Sequence, residues 1–354
     1  MQSATIGKLP NAGKPRPSDN EIAHQSTAPL QAMPAGGAIA EVVNLAPRSI
    51  FHQPWWLDIA TDGNWRVAKV QRGNDIVGEM PYALNRRGFW RTSQMPPLTR
   101  TLGPVFKESA GDPTRWMLDR VSISEELIRQ IPDVHSFYQI FDPRVDDALA
   151  FGLNGFTVST RYTLQFASGR TVEGLWKALH YKTRNMIRTG QKFVNVAPLE
   201  PDEFNRFYDS NLEARSRSNV YGSHVMHRLV SEFTERGAGY LLGAHDLNGA
   251  LVAAIGVTFD TYAAYYMLSS RTQNSHGGAI SVLVWEAIQD AVSRGLTFDF
   301  DGIPNVNTFR FLSGFKPALK PRIVVERHSP MWSMAKASRR LLIPRKSEWF
   351  VSTA

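Results

Sequence analysis

The alternation of apolar and polar positions changes character along the chain. Residues 1–45 show little periodicity and are rich in Pro, Gly, Ala, Ser and Gln. Such a segment buries too little apolar surface to offset its chain entropy, and a disordered leader is expected. From Ile50-Phe51 the pattern tightens. Trp55-Trp56-Leu57 predict a short aromatic helix. Strand-like runs over 65–70 and 76–84 flank Arg72-Gly73-Asn74-Asp75, a hairpin signature. Pro96-Pro97 and Gly103-Pro104 mark loops. Asp112-Pro113 opens a helix towards Gln130, with proline in its first turn. Residues 137–141 read as a buried strand, 144–153 as a helix and 156–166 as a further strand.

The second stretch is more regular. A basic amphipathic helix is expected over 171–191, with Leu175, Leu179 and Ile187 among its apolar positions, followed by a strand at 193–197. Pro201-Asp202-Glu203 start a helix to about Glu213, with proline and acids in the first turn. Another helix covers 223–235 and stops at Gly237. Three strands follow, 240–245, 250–259 and 262–269, with Asp246-Leu247-Asn248-Gly249 and Asp260-Thr261 as turns. The loop 274–278 leads into a helix over 279–293 ended by Gly295. A strand at 298–301, a short helix at 307–312 and a strand at 321–327 complete the pattern.

The two stretches echo one another. Phe141-Asp142 matches Phe300-Asp301, and 300 − 141 = 159; Leu153-Asn154-Gly155-Phe156 matches Leu312-Ser313-Gly314-Phe315, and 315 − 156 is again 159. Two related units are expected, 46–168 and 169–330, with a basic amphipathic tail over 331–354.

Composition narrows the function. The 354 residues suffice for two cores; 43% are apolar and 20% charged, as in a globular protein. No apolar run reaches the roughly 18 residues of a membrane span. Lys8 and Lys14 are not followed by the apolar stretch of a secretory signal. The absence of Cys excludes disulfides, thiolate metal sites and a cysteine nucleophile. A cytoplasmic protein is the simplest reading. The net charge of +8 favours anionic partners or marks a generically basic surface.

Beyond 169 the order is helix, strand, two helices, three antiparallel strands, helix, strand, short helix, strand. Few folds share it, the GNAT acyltransferase fold being the chief one. Three marks add to this. They are Phe51-His52-Gln53-Pro54-Trp55-Trp56-Leu57; Arg184, Ile187 and Arg188 ahead of Val194-Asn195-Val196; and Phe298-Asp299-Phe300-Asp301-Gly302 ahead of Phe309, Phe311 and Gly314-Phe315-Lys316. On these the chain, over roughly 50–328, resembles the FemAB-like aminoacyl/acyltransferases and the related BioF2-like, or CelD-type, acetyltransferases of bacterial polysaccharide operons. The resemblance implies an α/β fold of two tandem GNAT-like domains, each a mixed, mostly antiparallel sheet flanked by helices. It implies an N-acyltransferase acting on an amine of a sugar, amino acid or cell-envelope precursor. The coiled-coil arm that FemAB enzymes often insert for a tRNA-linked donor is not evident. An acyl thioester, acyl-CoA or acyl-carrier protein, is therefore the expected co-substrate, with no permanently bound cofactor. Aminoacyl-tRNA as donor and a non-catalytic subunit of polysaccharide assembly remain the alternatives.

Acyl transfer needs a donor cradle, carbonyl polarisation and a route for the amine proton. Gln273, Ser275, His276, Gly277, Gly278 and Ala279 stand at a helix start, where free N–H groups suit a pyrophosphate; an ordinary glycine turn is the bland alternative. Met267 and Ser269, with Leu268 between them, are candidates for a strand N–H facing the thioester carbonyl. Tyr265 and Tyr266 point to opposite faces, so Tyr266 is taken as proton donor and Tyr265 as acceptor contact, packing being equally open. Asp299 and Asp301 share one face of a strand whose other face carries Phe298 and Phe300. A carboxylate there could bind the amine or take its proton. Asp301 has an echo at Asp142 and also reads as a turn residue, which leaves Asp299 the more distinctive. Lys177, Arg184 and Arg188 fall near one helix face at steps of seven and four. The resemblance singles out Arg184, Arg188 and Lys316 for the acceptor; a solvated face is the alternative. No metal is expected: His224 and His227 lie three apart without a third ligand in reach. The basic residues are not interleaved with aromatics, so DNA is not expected as a partner. The tail, with Lys336, Arg339, Arg340, Arg345 and Lys346 among Trp332, Leu341, Leu342 and Ile343, could pack on the body or touch an anionic membrane surface.

Overall fold

The computed structural model describes residues 45–107 and 112–342. The expected leader, except for Leu45, and the tail beyond Leu342 lie outside the described residues. A small antiparallel sheet joins β1 (Leu45–Ala46), β2 (Trp65–Arg72), β3 (Asp75–Ala83) and β6 (Val105–Lys107) in the order β1-β6-β3-β2. The remaining strands are β4 (Asn85–Arg87), β5 (Trp90–Ser93), β7 (Ser136–Ile140), β8 (Thr157–Phe166), β9 (Val194–Pro198), β10 (Gly239–Asp246), β11 (Leu251–Phe259), β12 (Ala263–Arg271), β13 (Thr297–Asp299) and β14 (Ala318–His328). They make one ten-stranded sheet, ordered β4-β5-β7-β14-β8-β13-β12-β11-β10-β9.

The middle of that sheet is interleaved. β14, from the second half of the chain, lies between β7 and β8 of the first; β8 lies between β14 and β13 of the second. The pairing carries the sequence offset. Tyr162 of β8 faces Pro321 of β14, and 321 − 162 = 159. Ile140 pairs with Val324 as Asp299 pairs with Gln165, and both 299 − 140 and 324 − 165 equal 159. A pseudo-twofold axis therefore passes through the Tyr162–Pro321 pair and exchanges β7 with β13 and β8 with β14. The equivalence also shows where the halves differ. Ile140 stands where the second half has Asp299, and Thr163 where it has Arg322.

Side-chain alternation sorts the second half into layers. Ala253, Ile255 and Val257 of β11 point to one face, where α5 (Tyr181–Gly190) and α8 (Ala279–Ser293) bury Ile187, Val282, Leu283 and Ile288. Ala254, Tyr265 and Met267 point to the other, against α1 (Pro54–Thr61), α6 (Pro201–Glu213) and α7 (Ser223–Glu235), which supply Trp56, Phe204 and Leu229. Pro54 and Pro201 occupy first helical positions. The first half has its own core around Met80, Leu127, Phe137 and Phe151, contributed partly by α2 (Pro113–Arg129) and α3 (Leu149–Leu153). Asp112 caps α2 by accepting from the Arg115 N–H at 3.1 Å. The helix expected from 144 starts only at Leu149. Arg144 is held back by Asp142, whose carboxylate takes its N–H and guanidinium.

The expected helix over 171–191 is two helices, α4 (Val172–Ala178) and α5. Leu179 and His180 between them are extended (ψ 145° and 139°), and the His180 ring accepts from the Lys182 N–H. Lys177 is thus on a different helix from Arg184 and Arg188, so the shared face expected of them does not exist. At the far end of α5, Gly190 crosses the start of α8. A Cβ on Gly278 would lie 2.5 Å from the Met186 carbonyl oxygen and 3.2 Å from Gly190 Cα. Only glycines permit that approach. The chain closes with α9 (Val306–Ser313) before β14 and α10 (Pro330–Leu342) after it.

Candidate active site

β12 and β13 run parallel for three residue pairs, ending at Tyr265 opposite Asp299. There β13 stops while β12 continues along β11 to Arg271, so the sheet opens beside residues 266–271. In the same stretch Tyr266 faces Val257 and Leu268 faces Gly256, which leaves Met267 as the extra residue of a bulge. Its carbonyl accepts from Arg100 Nη2 at 3.1 Å. Arg100 comes from the loop after β5. Its guanidinium also donates to the Tyr221 hydroxyl at 3.3 Å, and its Nε stands 2.5 Å from Asp301 Oδ2. One side chain from the first half thus ties the bulge to the end of β13.

Asp299 is wholly buried and saturated. Oδ1 accepts from the Thr163 hydroxyl (2.5 Å) and the Asp301 N–H (2.7 Å); Oδ2 accepts from Gln165 Nε2 (2.7 Å) and Arg322 Nη2 (2.8 Å). With four donors on a carboxylate there is no room for a substrate proton. The expectation that Asp299 acts on the amine is corrected: it shapes the turn that follows. Asp301 is not on the strand. It sits at φ 65° and is followed by Gly302 at φ 88°. Gly302 donates to Thr163 Oγ1 at 3.0 Å, so the turn hangs from the Asp299–Thr163 pair. Asp301 Oδ1 is buried with no hydrogen-bond partner among the described residues. Burial pushes this carboxyl up to about 7, against the pull of Arg100 and Arg322. Tyr208 and Tyr266 are both raised by burial to about 12, so their hydroxyls are neutral in the physiological range.

A strand splay with a bulge beside it, followed by a helix that starts on glycine, agrees with the sequence of residues 177–307, which matches the model of the acetyltransferase (GNAT) domain. Over those residues the chain carries a GNAT-type acetyltransferase domain. Among solved structures, FemX superposes with a TM-score of 0.59 at 11% identity, covering 80% of this chain and 94% of that one. L-PGS from Bacillus licheniformis gives 0.51 at 13% identity, covering 82% and 92%. At these identities the likeness is one of fold. No curated protein matches the sequence significantly.

Several residues expected in the GNAT site have other work. Tyr265 donates to Asp260 Oδ2 at 3.1 Å and packs edge-on against Phe51; it is a core residue and not an acceptor contact. Arg184 Nη1 donates to the carbonyls of Lys177 (2.8 Å) and Leu179 (2.7 Å), closing the C-terminal end of α4 rather than meeting a phosphate. Arg188 lies over the Trp176 ring at 5.6 Å. Lys316 is exposed, at φ 64° just after α9. The donor loop is also largely self-satisfied. Gly278 N–H donates to His276 Nδ1 (3.1 Å), Ala279 N–H to the His276 carbonyl (3.0 Å), and both residues are buried under α5. Gln273 and Gly277 are exposed, Ser275 partly buried, and His276 stacks on Phe193 at 4.8 Å. A free cradle at Gly278 and Ala279 is therefore not present. Met267 and Ser269 flank the opening, Met267 in the bulge and Ser269 exposed. His227 pairs with Asp209 at 2.8 Å, and among the described residues no three potential metal ligands converge.

Arg100 escaped the sequence reading. It sits in an apolar and proline-rich loop with no motif around it. Its only advance signal is a lone cation in an otherwise uncharged stretch, Thr92 to Val105.

Proposed function

We propose that this acyltransferase moves an acyl group from a thioester, lodged in the opening between β12 and β13, to an amine that enters over Asp301. The observation that carries the reading is the buried, unpartnered Oδ1 of Asp301, one guanidinium away from the Met267 bulge. The amine nitrogen attacks the thioester carbonyl carbon and Asp301 takes its proton. The C–N bond forms, the C–S bond breaks, and the sulfur leaves as a thiol with a proton from the neutral Tyr266 hydroxyl, which solvent restores. The bulged backbone at Met267 to Ser269 polarises the carbonyl. Asp299, Arg322 and Arg100 hold the turn and do not touch substrate. An amine on a sugar, amino acid or envelope precursor fits this chemistry.

The test is transfer from acyl-CoA and acyl-carrier protein to an amine panel, with Asp301→Asn beside the wild type. Loss of turnover with unchanged donor binding supports the reading; unchanged turnover overturns it. The Gly278 and Ala279 N–H groups, both taken up by His276, favour a second donor, aminoacyl-tRNA, which needs no pyrophosphate cradle. Turnover with charged tRNA and none with either thioester would select it.

A further inference from the structure

The outer edge of the large sheet carries a surface unrelated to the opening between β12 and β13. The β4–β5 hairpin turns at Gly88-Phe89, and Phe89 is 62% exposed. Phe89 leans on Trp90 (4.3 Å), and Trp90 meets the edge of Trp332 on α10 (4.9 Å). Backbone bonds fasten the same elements. His135 N–H donates to the Arg91 carbonyl (2.8 Å), and Ser329 N–H to the His135 carbonyl (2.9 Å). Trp332 is the partly covered residue of the first two turns of α10. Met331 and Met334 are 50% and 71% exposed, and with three residues between-start spacing they share a helix face. Around these apolar groups stand exposed Arg86, Arg87, Arg91 and Lys336. Neither 85–92 nor 330–342 contains an Asp or Glu, and the sequence continues with Arg339, Arg340, Arg345 and Lys346 against a single Glu348.

We propose that the β4–β5 hairpin and α10 form a docking surface for an anionic phospholipid bilayer. Isolated exposed apolar residues are ordinary, but here they lie on two elements joined through the Trp90–Trp332 contact, and the exposed charges on both elements are of one sign. Phe, Trp and Met can enter the boundary between headgroups and acyl chains while Arg and Lys remain at the phosphates. Charge complementarity selects an anionic surface, because neutral lipid would gain nothing from the basic ring. Single-stranded RNA would need free ring faces for stacking, whereas Trp90 and Trp332 are engaged edge-to-face with each other and methionines offer no ring.

The experiment is co-sedimentation of the full chain with vesicles of phosphatidylcholine alone and of equimolar phosphatidylcholine and phosphatidylglycerol. Binding to the second and not the first is expected, weakening as salt is raised. Arg86→Glu/Arg87→Glu/Arg91→Glu should weaken it by about a hundredfold or more. Met331→Ser/Met334→Ser should weaken it while leaving the charge intact. Unchanged melting curves would show both variants folded. Equal binding to both vesicles, no binding to either, binding untouched by both variants, or vesicle binding abolished by competing tRNA would each overturn the proposal.

Discussion

At Asp301 two unfavourable features coincide, a left-handed backbone and a buried carboxyl with an unused oxygen. A non-glycine residue at such φ costs on the order of 1–3 kcal/mol and persists where surrounding bonds enforce it; the Asp299–Thr163 pair enforces it here. The two aspartates should consequently fail in different ways. Asp301→Asn is expected to lower kcat by about 10²–10⁴-fold with the fold intact, as removal of a general base does. Asp299→Ala leaves Arg322 buried without its partner and should cost about 3–5 kcal/mol, read as a fall in the denaturant midpoint. pH separates them further. Asp301 is raised from 3.8 to about 7, so between these values the native state keeps a proton that the unfolded chain releases. Its contribution to stability is complete below about pH 4 and is lost as pH rises through 7. The Tm of Asp301→Asn should therefore gain on the wild type across that window, while wild-type kcat/KM climbs as the carboxylate forms. A flat difference in Tm together with a flat rate profile would exclude Asp301 as the base.

Among the elements, the break between α4 and α5 is the one that sequence periodicity hid. Leu175, Leu179 and Ile187 are all buried and fit one continuous helix, yet the chain extends at Leu179 and His180. Periodicity reports which positions are apolar, and a two-residue break that keeps them on one side leaves little trace. What exposes the break is Arg184, turned back onto the carbonyls that the break leaves unbonded. Arg184→Ala should cost about 1–2 kcal/mol, with the donor KM unchanged; a raised KM without loss of stability would restore it as a binding residue. Most strands and helices of the second half were legible as apolar runs of fitting length between glycine, proline or aspartate stops, although β10 and β11 are buried on both faces and do not alternate. The site was legible only in part. Asp301 and the stretch around Met267 lie in readable motifs, but which aspartate is free depends on Gln165, Arg322 and Thr163, which arrive from β8 and β14. No local pattern announces partners 23, 134 and 136 positions away. Arg100 was missed for the same reason.

In the whole molecule, the repeat at offset 159 was legible as a few identities, and the strand register gives it a meaning that the identities lacked. The halves are related by an axis through the Tyr162–Pro321 pair and exchange strands across it. Each therefore lacks a strand when separated. A fragment spanning 46–168 keeps β8 but loses β14, and should show no cooperative melting by circular dichroism; a sharp transition would mean that the first core suffices alone. The exchange also accounts for the mixed origin of the site, with Arg100 and Thr163 from one half and Asp301 from the other.

The place of β14 has a consequence on the ribosome. Chain growth is vectorial, at about 5–20 residues per second, yet the strand that joins β7 to β8 is the last of the described strands to emerge. For roughly 10–30 s, the time needed to add the residues between β8 and β14, each nascent molecule carries two open strand edges with Val158 and Tyr162 beside them. Those edges can pair with any neighbouring chain. Crowded polysomes should therefore yield entangled dimers swapped through β14, and slowing initiation should suppress them more effectively than stabilising the finished fold.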